Sequence, residues 1–200
     1  MSQFVVEELK EQPGQDVVEL LTRAYLVNPM HVAVFSGEAE LLGGNRKLFS
    51  LGVPAMKGSW LCVREGSVVV GVAHYTPFPE CSPPPEAQAE RGRIMAQVLG
   101  ESATLVAEWR QCWAEAHPAK PHWHLGPIGV TPKYQRRGIG SLLMAEYCRR
   151  MDTAKVLGYL ETDVPRNVPF YEKFGFKITG QADAIGVTSW FMERIAKGTE

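Results

Sequence analysis

The run Ile128-Gly129-Val130-Thr131-Pro132-Lys133-Tyr134-Gln135-Arg136-Arg137-Gly138-Ile139-Gly140-Ser141 decides how this chain is read. It leaves a β-rich segment, His122–Val130, that Pro132 stops, and enters an amphipathic helix over Ser141–Lys155. Between them lies a basic turn. Gly138 and Gly140 let backbone N–H groups face a ligand with no Cβ in the way. The helix that follows adds amides with no intrahelical partner and the positive end of its dipole. Arg136 and Arg137 bring charge to the same place, so the segment is built to hold a phosphate-like anion. A plain turn with solvated arginines would use the same letters; the strand before and the helix after favour the anion. No Gly-x-x-x-x-Gly-Lys-Ser/Thr is present, so an ATP-type loop is unsupported. No Gly-x-Gly-x-x-Gly sits in a βαβ unit, which disfavours a dinucleotide fold.

C-terminal to this run, Val156–Thr162 reads as a strand and Asn167–Phe174 as a short helix with Pro169 in its first turn and Gly175 as terminator. Phe176–Thr179 and Val187–Ile195 then form an antiparallel pair. On the N-terminal side, Trp60–Arg64 and Val68–Tyr75 flank Glu65-Gly66-Ser67 as a hairpin. Phe4–Leu9 is a first strand. A helix capped by Asp16 buries Val17, Leu20, Leu21, Ala24 and Tyr25, and Asn28-Pro29 ends it. Residues 36–58 look helical in part but hold Gly37, Gly43, Gly44, Gly52 and Gly58 and are expected to be mobile or irregular. Five prolines between Thr76 and Pro85 exclude regular structure there. Glu86–Ala116 is helical, broken near Gly100, with Ile94, Val98, Leu105, Val106, Trp109 and Trp113 as its apolar positions. Such a stripe is ordinary core, and no function is assigned to it.

The chain has 200 residues, 45% hydrophobic and 22% charged, which suits one globular domain. Lys and Arg number 21 against 22 Asp and Glu, so no charge excess favours nucleic acid or an anionic membrane. The start, Met1-Ser2-Gln3-Phe4-Val5-Val6-Glu7-Glu8, has no basic n-region, and the longest apolar run, Val68–Ala73, is too short to span a bilayer. Cys62, Cys81, Cys112 and Cys148 lie far apart, without metal-type or disulfide-scaffold spacing. Reduced thiols and a cytoplasmic location are expected.

Gln135-Arg136-Arg137-Gly138-Ile139-Gly140, preceded by Ile128-Gly129-Val130-x-Pro132, resembles the pyrophosphate motif of the GNAT superfamily of acyl-CoA-dependent N-acyltransferases. Leu160-Glu161-Thr162, Asn167 and Phe170-Tyr171-Glu172-Lys173-Phe174-Gly175-Phe176 resemble its second signature. With Pro165-Arg166-Asn167-Val168-Pro169 and Thr188-Ser189-Trp190, the puromycin N-acetyltransferase-like branch is the most similar. The resemblance spans residues 122–194. It implies an α+β fold: a mixed, mostly antiparallel sheet splayed in the middle, helices on both faces, and a single domain over 1–200 with a helical insertion at about 86–116. It also implies acetyl-CoA or CoA as co-substrate, without a metal. Ile128, Gly129 and Val130 would meet the pantetheine arm, and Gln135, Arg136, Arg137, Gly138, Ile139, Gly140 and Ser141 the pyrophosphate. Asn167 and Tyr171 would lie toward the sulfur.

Amide formation from a thioester needs a neutral amine, a donor for the oxyanion and a proton for the thiolate. Tyr171 is the candidate general acid, against simple packing beside Phe170, Phe174 and Phe176. Glu161 and His124 are the candidates for base. His122 and His124 share one strand face, and Ile128 and Val130 continue that parity unless a bulge intervenes. His74 at the end of the hairpin is a further candidate, and Cys148 keeps an acyl-enzyme conceivable. The expected activity is acetyl transfer to the primary amine of a small molecule, by direct attack in a ternary complex, in a monomer or homodimer. The alternatives are a CoA-binding sensor or pseudoenzyme, and an acetyltransferase of protein N-termini or lysines. Residues 36–58 and 76–85 are expected to border the acceptor site. An open groove there would suit a peptide, and an acid-lined pocket a small amine.

Overall fold

A computed structural model describes residues 4–198 of the chain, so Met1–Gln3 of the N-terminal stretch lie outside the described residues. The chain runs through β1 (Val6–Glu8), α1 (Gln15–Ala24), α2 (Pro29–Val34), α3 (Glu38–Ala55), β2 (Ser59–Glu65), β3 (Val68–Pro77), α4 (Pro85–Leu99) and α5 (Ser102–Ala116). It continues with β4 (His122–Val130), α6 (Ile139–Ala154), β5 (Leu157–Thr162), α7 (Val168–Glu172), β6 (Lys177–Ala184) and β7 (Val187–Arg194). The strands make a seven-stranded sheet in the order β1-β2-β3-β4-β5-β7-β6. Every neighbouring pair is antiparallel except β4 with β5.

Alternation along the strands feeds two cores. Leu61, Val63, Val70 and Ala73 pack against Ile139, Leu143, Tyr147 and Met151 of α6. Trp60, Cys62, Val69 and Val72 meet Val17, Leu21, Phe49 and Val53 of α1 and α3 on the other face. A third cluster joins α4 and α5, through Met95, Leu99, Val106 and Trp109, to Met30 and Phe35. Ile94, read above as part of the insertion's apolar face, is exposed instead; Met95 beside it takes the buried position. This is an α+β fold with a mixed, mostly antiparallel open sheet between helical layers.

Three N-terminal expectations are corrected. Gly14, not Asp16, is the N-cap of α1, and Asp16 sits in its first turn, where a negative charge suits the dipole. Asn28 starts a helix rather than ending one: its Oδ1 accepts from the N–H groups of Met30 (2.9 Å) and His31 (3.2 Å). The segment expected to be irregular holds the 18-residue α3. Its glycines are tolerated because Leu41, Leu48, Phe49 and Val53 are buried and because Gly44 packs against the Phe35 ring, which a Cβ would approach to 2.3 Å. Asn45 ties the helix down, accepting from the His31 ring at 2.7 Å and donating to the Thr22 carbonyl at 3.3 Å.

The site is prepared by two irregularities of β4. Tyr75 pairs with Leu125 but Ala73 with Ile128, so β4 spends an extra residue at Gly126-Pro127. That bulge reverses the parity: Ile128 and Val130 pack on the α6 side, while Gly129 faces Leu20, Leu21 and Ala24. They do not share the face of His122 and His124. Beyond the bulge β4 also loses β5, which pairs with it only from His122–Leu157 to His124–Tyr159. The sheet opens there.

Candidate active site

The opening is a cleft of about 610 Å³. One wall is the free edge of β4. The Thr131 N–H bonds the Val70 carbonyl at 2.9 Å, and in an antiparallel ladder adjacent residues point their polar groups to opposite edges. The N–H and C=O groups of Ile128 and Val130 therefore turn away from β3, into the gap. The Val130 carbonyl accepts from the Gln135 side chain at 3.1 Å, and the Ile128 backbone bonds the Tyr25 hydroxyl.

Below this edge the basic turn reaches α6. Arg136 and Gly138 have φ of 61° and 84°, left-handed conformations that turn successive amides the same way. For Arg136, which carries a side chain, the conformation is strained. Among the described residues no backbone carbonyl accepts from the N–H groups of Arg136 to Ser141, and Gly138, the N-cap of α6, supplies no side-chain cap. A Cβ on Gly138 would meet nothing within 4 Å, and one on Gly140 only Phe170, at 3.8 Å. The chain itself leaves this space open, and an anion fits it. Gln135, Arg136 and Gly140 line the cleft. Arg137 stacks over the Tyr134 ring, 5.0 Å from its centroid, and Ile139 is buried against α6's core partners, so only its backbone can serve a ligand.

Across the gap stand Glu161 and Asp163 from the end of β5, then Asn167, Phe170 and Tyr171. The Glu161 side chain is 3% exposed, and its Oε2 lies 2.7 Å from His124 Nε2. The two base candidates are thus one hydrogen-bonded pair. Asp163 accepts from Ser189 Oγ at 2.6 Å, and Trp113 Nε1 donates to that Ser189 oxygen at 2.8 Å. Burial pushes the Asp163 carboxyl up to about 6. Burial also raises the Tyr171 phenol above its usual range, with Tyr25 and Asp163 adding to the shift. His74 is excluded from the cleft: it is buried, with Nε2 2.8 Å from the Lys57 carbonyl, and burial drops it to about 4. Cys148 is buried on α6 away from the cleft, its thiol pushed up to about 11 by burial, so it is no nucleophile for this site.

The cleft is also walled by Trp109 and Trp113 of α5 and by Tyr25, Asn28 and His31. Residues 36–58 and 76–85, expected to border the acceptor site, do not line this cleft. The insertion stripe read as plain core thus presents two indoles to the site. Only the pair of tryptophans one helical turn apart hinted at this; the packing of α5 over the gap is a tertiary fact.

The acetyltransferase (GNAT) family model matches residues 36–176. The chain belongs to the GNAT family. Its fold is shared by the histone acetyltransferase HPA2 and related acetyltransferase of Corynebacterium glutamicum, at 22% identity and TM-score 0.74, with both chains fully covered. Arylalkylamine N-acetyltransferase 2 of Aedes aegypti is 11% identical at TM-score 0.66, over 97% of this chain and 99% of that one. The PaiA N-acetyltransferase of Thermoplasma acidophilum, solved in complex with coenzyme A, is 14% identical at TM-score 0.56, over 96% and 99%. Membership of the GNAT family makes the chain an acyl-CoA-dependent acyltransferase by kind, and its N–H cradle suits the diphosphate of that donor. Among the described residues no helix is long and apolar enough to cross a membrane.

Proposed function

We propose that this GNAT protein transfers an acetyl group from acetyl-CoA to the primary amine of a small molecule with an aromatic or apolar body, by direct attack in a ternary complex. The observation that carries the reading is the unpaired amide run Arg136–Ser141 opening into a gap that ends at two carboxylates and two indoles. The diphosphate of CoA would lie on those amides, and the pantetheine arm along the rungs offered by Ile128 and Val130. Bound there, the donor supplies an activated acyl carbonyl.

The residues around it have distinct tasks. Glu161, held by His124 at 2.7 Å, takes the proton of the incoming ammonium, directly or through water. Asp163 adds negative charge at the same end, and Trp109 and Trp113 offer faces to an apolar or cationic body. A β4 amide turned into the gap donates to the oxyanion; one such donor is typically worth about 10²–10³ in rate. Tyr171 returns a proton to the departing thiolate. Asn167 lies beside it. Acid-lined and aromatic walls support a small amine over a peptide. The similarity in fold to an arylalkylamine N-acetyltransferase is consistent with that choice. Leu160-Glu161-Thr162 and Thr188-Ser189-Trp190 support a puromycin N-acetyltransferase-like branch, and we read the whole chain as one domain with α4–α5 inserted.

Thiol release from acetyl-CoA across a panel of arylalkylamines, polyamines and peptides tests the reading. Turnover with small aromatic amines is expected. CoA binding without turnover on any amine would make the protein a sensor, and turnover on peptides alone would make it a protein acetyltransferase.

A further inference from the structure

Beside the acceptor end, and outside the cleft, three donor groups converge from separate segments. Cys81 comes from the proline-rich loop after β3, His117 from the C-cap of α5, and His122 from the first position of β4. Their ligand atoms lie within 4.8 Å of one another, with Cys81 Sγ 3.5 Å from His122 Nε2. Zinc held at about 2.0–2.3 Å from nitrogen and sulfur needs donors about 3.5 Å apart. One pair already has that spacing, and small side-chain rotations bring in the third.

The imidazoles are set for such a role. His122 Nδ1 lies 2.7 Å from the Lys120 carbonyl, which can only accept, so Nδ1 carries the proton and Nε2 turns its lone pair toward Cys81. A backbone carbonyl behind the second ring nitrogen is the usual support of a metal-ligating histidine. His117 stacks edge-on against His122, centroids 4.7 Å apart, and its Nε2 is buried with no hydrogen-bond partner. A thiol–imidazole hydrogen bond accounts for Cys81 and His122; it leaves the His117 nitrogen unexplained. Phe78, 5.6 Å from the His122 ring, supplies an apolar shell.

We propose that Cys81, His117 and His122 form a site for a borderline-soft divalent cation, zinc above all, with its fourth position open to solvent. Two imidazoles and a thiolate suit that ion and reject magnesium and calcium, which take oxygen ligands. The ion acts as a clip. It joins the loop after β3 and the end of α5 to β4, the strand that His124 shares with the cleft edge. The cluster therefore stabilises the wall of the acceptor site, independently of which amine that site takes.

Cobalt(II), which substitutes for zinc and is coloured, provides the test. The full chain is reduced, stripped with a chelator and titrated with Co²⁺. One equivalent is expected to give the visible bands of a tetrahedral ion and a thiolate charge-transfer band, both displaced by zinc. Cys81→Ser should lose the charge-transfer band and His117→Gln should weaken binding at least tenfold, each with an unchanged circular dichroism spectrum, while Cys112→Ser leaves the titration unaltered. Zinc should also raise the thermal midpoint of the parent chain and not of Cys81→Ser. Absence of a thiolate band in the parent, or a band that survives Cys81→Ser, would overturn the site.

Discussion

Gly138 holds its φ of 84° in open space at the head of α6, so an added side chain meets no neighbour there but does strain the left-handed backbone that aims the amides. In Gly138→Asp a carboxylate competes for the amides of Arg136–Ser141. Two charge-assisted bonds lost, at about 1.5–3 kcal/mol each, amount to more than a hundredfold in CoA affinity. Calorimetric titration with CoA should show that loss; a normal dissociation constant would remove the cradle. Tyr171 is buried in the cleft wall, and a phenylalanine keeps its packing. Tyr171→Phe is expected to lower kcat by about tenfold or more, below the upper range for a positioned acid because a thiolate is a good leaving group. CoA affinity should stay within twofold. An unchanged rate at saturating amine would leave Tyr171 a packing residue only.

At the level of elements, α3 and β4 mark the limits of what letters reveal. The strand, basic turn and helix around Arg136–Ser141 are local, and the sequence shows all three. Helix α3 is not local. Its glycines argue against it by propensity, and it exists because four apolar side chains and Asn45 find partners far along the chain. Gly44→Ala tests this: an added methyl 2.3 Å from the Phe35 ring should cost about 1–3 kcal/mol, where propensity alone predicts a gain. A urea midpoint equal to or above the parent's would contradict the packing account. The bulge at Gly126-Pro127 was foreseeable only as a condition, and it decides which side of the sheet Ile128 and Val130 face. Glu161 and His124 were each readable as a base, whereas their hydrogen bond depends on the parallel pairing of β4 and β5. The walls of Trp109 and Trp113, and the convergence of Cys81, His117 and His122, arise from how α5 packs back against the rest of the chain.

For the molecule as a whole, the buried titratable groups set the response to acid. Burial brings His31 and His74 down to about 4, from an unfolded value near 6.5. Both are neutral in the folded chain while the unfolded chain takes up protons. Their contribution is therefore complete above pH 6.5 and is lost as pH falls toward 4. Each amounts to roughly 3 kcal/mol at most at 1.36 kcal/mol per unit. Asp163, raised to about 6 by burial, works in the opposite sense: its burial penalty is present above pH 6 and relieved as pH drops toward 4. Two histidines outweigh one carboxyl, so stability should decline between pH 6.5 and 4. His31→Gln, which retains a donor for Asn45, should flatten that decline in urea denaturation measured at stepped pH. A slope equal to the parent's would show that His31 is protonated in the folded state.

The clasp of β4 and β5 from His122–Leu157 to His124–Tyr159 makes the sheet two blades hinged near one end. An extended guest laid along the β4 edge that faces the gap would bridge those blades. On the proposed reading, loss of the spent carrier would then loosen the protein.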